Sequence, residues 1–158
     1  MPTFKTLLKN PAWLLAFGFG SGLAKQAPGT WGTLAAIPLY GLLVMLSPSV
    51  WVYGVITVLL FVVGVWVCDY TEKSLGLHDP GNIVWDEMVG YLVTMIYLPV
   101  DWVWMLAGFV LFRFFDILKP WPIRWFDQHC TGGFGVMVDD VVAGMIACGC
   151  LHVVYYFQ

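Results

Sequence analysis

Apolar positions fall in long runs along this chain, and polar positions gather between them. Runs of this kind predict helices, because lipid leaves no partner for backbone groups outside a helix or a closed barrel. A first helix is predicted over 30–46, ended by Ser47-Pro48 and kinked at Pro38. A second, Val50–Cys68, would be roughly 27 Å long, close to the hydrocarbon thickness of a bilayer. A polar loop, Asp69–Asn82, follows, with His78-Asp79-Pro80-Gly81 as its turn. The third helix is predicted over Ile83–Leu98 and the fourth over Trp102–Leu118, joined by a turn at Pro99–Asp101. Pro120-Trp121-Pro122 breaks the fourth. A short amphipathic piece, Ile123–Cys130, suits a membrane surface. Thr131–Gly135 reads as a flexible loop, and the fifth helix as Val136–Phe157.

The expected fold is therefore all-α, a membrane bundle of four or five hydrophobic helices forming a single domain over 1–158. Residues 1–29 would be an N-terminal arm and a Gly/Pro-rich loop, and 30–158 the helical membrane core. Thr30 is the expected N-cap of the first helix. Several helices are short for a full span, which leaves re-entrant or buried segments open.

Composition strengthens this picture. The chain is 60% hydrophobic and 11% charged, against about 25% charged in soluble domains. Trp51, Trp66, Trp85, Trp102, Trp104, Trp121 and Trp125 lie mostly near the ends of the apolar runs, as interfacial belts do. No basic stretch suggests nucleic acid. The four cysteines form no CxxC pair and no Cys-x5-Arg loop, so they read as packing residues. No cleavable signal pattern follows Lys5 and Lys9.

With alternating spans, all seven Lys and Arg residues fall on one side, which the positive-inside rule makes cytoplasmic. The same alternation brings Asp69, Asp86, Glu87, Asp116, Lys119, Asp139, Asp140, the Pro28-Gly29-Thr30 turn and the Gly132–Gly135 loop to one level. Carboxylates beside hydrocarbon are costly unless compensated, and a divalent cation compensates them. Asp86, Glu87, Asp139 and Asp140 are the candidate ligands of Mg2+, and with Asp116 the candidate catalytic acids. Lys119, Arg113, Arg124 and Lys25 are candidates to neutralise phosphate oxygens, and Thr30, Gly132 and Gly133 to present backbone N–H groups to them. Each feature also has a plain structural account. One acidic pair in a first turn is an ordinary helix-dipole partner, and Arg113 with Asp116 can be only an intrahelical ion pair. His78, His129 and His152 read as loop or interfacial residues. Convergence of three clusters favours a site.

Three stretches carry a resemblance: Gly18–Thr30 (GFGSGLAKQAPGT), Ile83–Gly90 (IVWDEMVG), and Phe112–Arg124 (FRFFDILKPWPIR) followed by Gly132–Gly144 (GGFGVMVDDVVAG). Together they resemble the phosphatidylglycerophosphatase A family of bacterial inner membranes. The resemblance implies Mg2+-dependent hydrolysis of the terminal phosphate of phosphatidylglycerophosphate to phosphatidylglycerol and inorganic phosphate. It implies a multi-pass protein of the inner (cytoplasmic) membrane, with membrane lipids as its partners and the site facing the cytoplasm. The family's acidic positions fall on Asp86, Glu87, Asp116, Asp139 and Asp140, its basic position on Lys119, and its turn on Pro28, Gly29 and Thr30. The competing expectations are a transporter or ion channel lined by acids, a non-catalytic lipid-binding membrane protein, and a phosphatidyltransferase using Asp139-Asp140. The oligomeric state is left open.

Overall fold

The computed structural model describes residues 2–47, 49–77 and 80–157, so Pro48 and the His78-Asp79 part of the expected turn lie outside the described residues. The regular elements among them are all helical. Two short helices, α1 (Phe4–Leu7) and α2 (Pro11–Ala16), and a 3-10 stretch at Gly18–Leu23 precede the main body. It consists of α3 (Pro28–Leu46), α4 (Val50–Leu75), α5 (Trp85–Thr94), α6 (Trp102–Leu118), α7 (Ile123–His129) and α8 (Gly132–Tyr156). Local chemistry sets several ends. Asn10 caps α2 by accepting from the amides of Ala12 and Trp13, with Pro11 in the first helical position. Asp101 caps α6 through Val103 N at 2.8 Å. Gly76, left-handed at φ 65, ends α4.

The exposed and buried faces of α4 place the bundle in lipid. Val55, Val58, Leu59, Val62, Val63 and Trp66 are exposed, while Tyr53, Thr57, Gly64, Val67, Cys68 and Thr71 are buried. Both sets follow the helical repeat, yet the outward face is as apolar as the inward one. That pattern suits a hydrocarbon solvent and would be an aggregation hazard in water. Among the described residues, three helices are long and apolar enough to cross a membrane: α3, α4 and α8. At 17 residues, α6 falls just short of that length.

The third predicted helix turns out to be the centre of the bundle. With 10 residues, α5 is about 15 Å long and too short to span. It packs on α3, α4, α6 and α8, and Trp85, Met88, Val89, Tyr91 and Leu92 on it are buried. Trp85 therefore belongs to the core and not to an interfacial belt; its Nε1 donates to Leu60 O at 3.2 Å. Trp51, Trp66, Trp102, Trp121 and Trp125 are exposed, as a belt requires.

Other boundaries move for tertiary reasons. The second helix runs on to Leu75, so Asp69 and Lys73 form an i,i+4 pair at 2.7 Å on a helix and not in a loop. The expected flexible loop at Thr131–Gly135 is the start of α8. A Cβ on Gly133 would lie 1.9 Å from Val65 O and 2.6 Å from Asp69 N, so this glycine permits close approach of two helices. Residues 2–27 of the expected arm are folded onto the bundle: Leu7, Ala16 and Phe17 are fully buried, and Val84 N donates to Ala16 O at 2.9 Å. Thr30 is not an N-cap. The capping residue is Ala27, with Pro28 in the first turn.

Candidate active site

The starts of α3, α5 and α8 meet the ends of α4 and α6 at one end of the bundle, as alternation requires. Between them lies a polar cleft of about 150 Å³, lined by Asp86, Glu87, Asp116, Lys119, Asp127, Thr131, Gly132, Asp139 and Asp140, among others. Carboxylate oxygens of Asp86, Glu87 and Asp140 lie within 4.8 Å of one another.

This spacing follows from how α5 and α8 cross. Gly90 stands one turn after Asp86, and Gly144 one turn after Asp140. A Cβ on Gly144 would sit 2.4 Å from Gly90 O, and one on Gly90 would sit 2.9 Å from Asp140 O. The two backbones therefore touch one turn from the acids, and short side chains can meet across the gap. Gly29 serves a third approach: its Cβ would lie 2.1 Å from Glu87 Oε1.

Two bases reach the acids from α6. Arg113 pairs with Asp116 and stands 3.8 Å from Glu87 through Nη1. Lys119 donates to Asp139 Oδ2 at 2.7 Å and to Asp127 Oδ1. Burial works to lower the Lys119 pKa, but the hydrogen bonds to Asp127 and Asp139 outweigh it and raise the value, so this ammonium stays charged. Burial pushes the Glu87 carboxyl up to about 8; Asp140 and Asp116 add to the rise, against the lowering from Asp86 and Arg113. The acids outnumber the bases, and Glu87 Oε2, Asp139 Oδ1 and Asp140 Oδ2 are buried without a hydrogen-bond partner among the described residues. Hard, oxygen-binding cations suit such a donor set.

The sequence profile of phosphatidylglycerophosphatase A matches residues 14–155. This chain belongs to the phosphatidylglycerophosphatase A family. It is 50% identical over 146 residues to the phosphatidylglycerophosphatase A of Escherichia coli (strain K12), covering 92% of this chain and 84% of that protein. It is 46% identical over 158 residues to the protein of that name from Haemophilus influenzae, covering 99% and 96%. No solved structure matches the chain.

The positions that carry the family resemblance in α5, α6 and α8 come together: Asp86, Glu87, Asp116, Lys119, Asp139 and Asp140 line one cleft, with Gly132 at its edge. Arg113 stands behind it as a partner of Glu87 and Asp116. Besides Arg113, four expected phosphate contacts are not among the residues that line the cleft. Lys25 and Arg124 are exposed, and Thr30 is half-buried on α3. Gly133 packs on α4. Asp127, by contrast, is part of the cleft wall and was not singled out in the sequence. It lies on α7, beyond a proline-rich reversal, where neither periodicity nor spacing ties it to Lys119.

Arg113 is mostly buried, so its loss leaves two carboxylates without their cation. Arg113→Ala is expected to destabilise the divalent-free protein by about 3 kcal/mol, the usual penalty for breaking one side of a buried pair. Thermal unfolding in detergent measures this, and an unchanged midpoint would show that the pair contributes little.

Proposed function

We propose that this protein hydrolyses the terminal phosphate of phosphatidylglycerophosphate, giving phosphatidylglycerol and inorganic phosphate. We also propose that it uses Mg2+ to do so. The observation that carries the reading is the meeting of Asp86, Glu87 and Asp140 within 4.8 Å, with buried oxygens left unpartnered on Glu87 and Asp140. These three residues would hold the ion. The free Oδ1 of Asp139 is available to the ion or to a water beside it. When bound, Mg2+ supplies polarisation of the phosphoryl oxygens and neutralisation of their charge.

The chain's own residues do the rest. Lys119 attracts the phosphate at the mouth of the cleft, and Arg113 offsets the charge of Glu87 and Asp116 behind it. One carboxylate of the cluster takes the proton of the attacking water. The apolar outer faces of α3, α4 and α8 keep the enzyme in the bilayer plane, so the lipid headgroup reaches the cleft without leaving the membrane. The basic residues Lys73, Lys119 and Arg124 lie at the same end as the cleft, which supports a bacterial inner membrane with the site facing the cytoplasm. The clustered acids lie at one end, Asp101 at the other end only caps α6, and none lies in mid-span on α4, which favours a site over an ion path.

The test is phosphate release from phosphatidylglycerophosphate by the purified protein in detergent micelles, with Mg2+ and with chelator. The expected result is release that needs Mg2+ and stops on chelation. Absence of release by a folded sample under both conditions would overturn the proposal, and release that survives chelation would overturn its metal.

A further inference from the structure

At the mouth of the cleft Lys119 is held between two carboxylates. Lys119 ends α6 in a left-handed conformation, φ 43, which non-glycine residues rarely adopt. Its ammonium is shared between Asp139 on α8 and Asp127 on α7. The two carboxylates are not equivalent. The Asp139 side chain is 8% exposed and the Asp127 side chain 35%. The other charged residues lining the cleft are Asp86, Glu87, Asp116 and Asp140, all acidic, so Lys119 is the cleft's one lining base among the described residues.

The ammonium has three N–H groups and two of them are held by these carboxylates, so a phosphate that makes more than one contact with Lys119 displaces one of its partners. Asp139 would be left buried and stripped of its cation, which is strongly unfavourable. Asp127 regains water as it lets go, and an ion pair this exposed is weak.

We infer that Asp127 is a placeholder anion. It holds Lys119 at the cleft mouth when no phosphate is present, yields it to the entering lipid phosphate, and takes it back as inorganic phosphate leaves. The inference rests on the phosphatase reading above. No bond is made or broken by Asp127. Its effect is to weaken phosphate binding and to keep product from lingering on Lys119.

The experiment uses the full chain in detergent micelles with Mg2+, reading turnover of phosphatidylglycerophosphate and its inhibition by added inorganic phosphate. In Asp127→Asn the inhibition constant for phosphate should fall about three- to fivefold, the size expected for one half-exposed charge at contact distance. KM should fall in the same direction and kcat should not rise. Asp127→Glu, which keeps the charge, should resemble the parent protein. If Asp127→Asn fails to fold, Asp127→Ser is read in the same way. An inhibition constant that stays level or rises, or a raised KM, would overturn the placeholder role, because a merely structural contact acts in that direction. No turnover by the parent protein would defeat the phosphatase reading and the inference with it, whereas turnover with unmoved phosphate inhibition defeats the inference alone.

Discussion

Asp140→Asn lowers kcat for phosphate release by about a hundred- to a thousandfold, the loss expected when one preorganised electrostatic contact to the reacting group is removed. Asparagine keeps the shape of the side chain and deletes one negative charge from a group that is 3% exposed. In the absence of metal that deletion helps the fold. Asp140 faces Asp86, Asp116 and Asp139, and like charges in a confined space repel. The variant should therefore unfold at the same temperature as the parent or a higher one when no divalent cation is present. With Mg2+ the order reverses: the parent gains stability by mass action, and the variant gains little. Melting both proteins in detergent with Mg2+ and with chelator separates this account from a folding defect. A variant that melts early under both conditions would make Asp140 structural, and near-parental turnover would remove it from the site.

Gly144→Ala tests the frame that makes the cluster possible. One methyl group on Gly144 meets the carbonyl oxygen of Gly90 at 2.4 Å, and neither backbone can rotate away as a side chain would. Either α8 shifts from α5, or the strain remains in the crossing. The expected loss is about 2–3 kcal/mol of stability, the upper range for overpacking. The functional loss should be larger than the stability loss implies. A shift of a few tenths of an ångström one turn from Asp140 changes its distance to Asp86 and Glu87, and metal ligation is sensitive to that distance. Activity per folded molecule should fall at least about tenfold, the scale seen when groups that orient metal ligands are lost. Full activity in a less stable protein would show that the crossing supports the fold and not the geometry of the acids.

The helical bundle was legible in the sequence because long uncharged runs have few other solutions in lipid. The fourth helix, Trp102–Leu118, matches its prediction residue for residue, since Asp101 supplies the cap and Pro120 forbids continuation. Alternation of spans correctly brought Asp86, Glu87, Asp116, Asp139 and Asp140 to one end. What periodicity could not supply is which neighbour covers an apolar face. Ile83–Leu98 reads alike whether lipid or protein surrounds it, so the central, buried position of α5 was hidden, and Trp85 passed for a belt residue. Gly132 and Gly133 read as flexibility because the partner that requires their smallness, α4, is distant in sequence. Asp127 gave no signal for the same reason. Its link to Lys119 is made by the turn between α6 and α7, and the prolines on either side of Trp121 do not announce where the next helix will point.

If Asp86, Glu87 and Asp140 form a cation site, the protein binds divalent ions there with or without substrate. Mn2+, which shares the oxygen preference of Mg2+, can be titrated into the purified protein in detergent and followed by electron paramagnetic resonance, in the parent and in Asp140→Asn. The parent should bind Mn2+ saturably, Mg2+ should displace it, and the variant should lose this binding. Equal binding to both proteins, or none to the parent, would contradict the cation site.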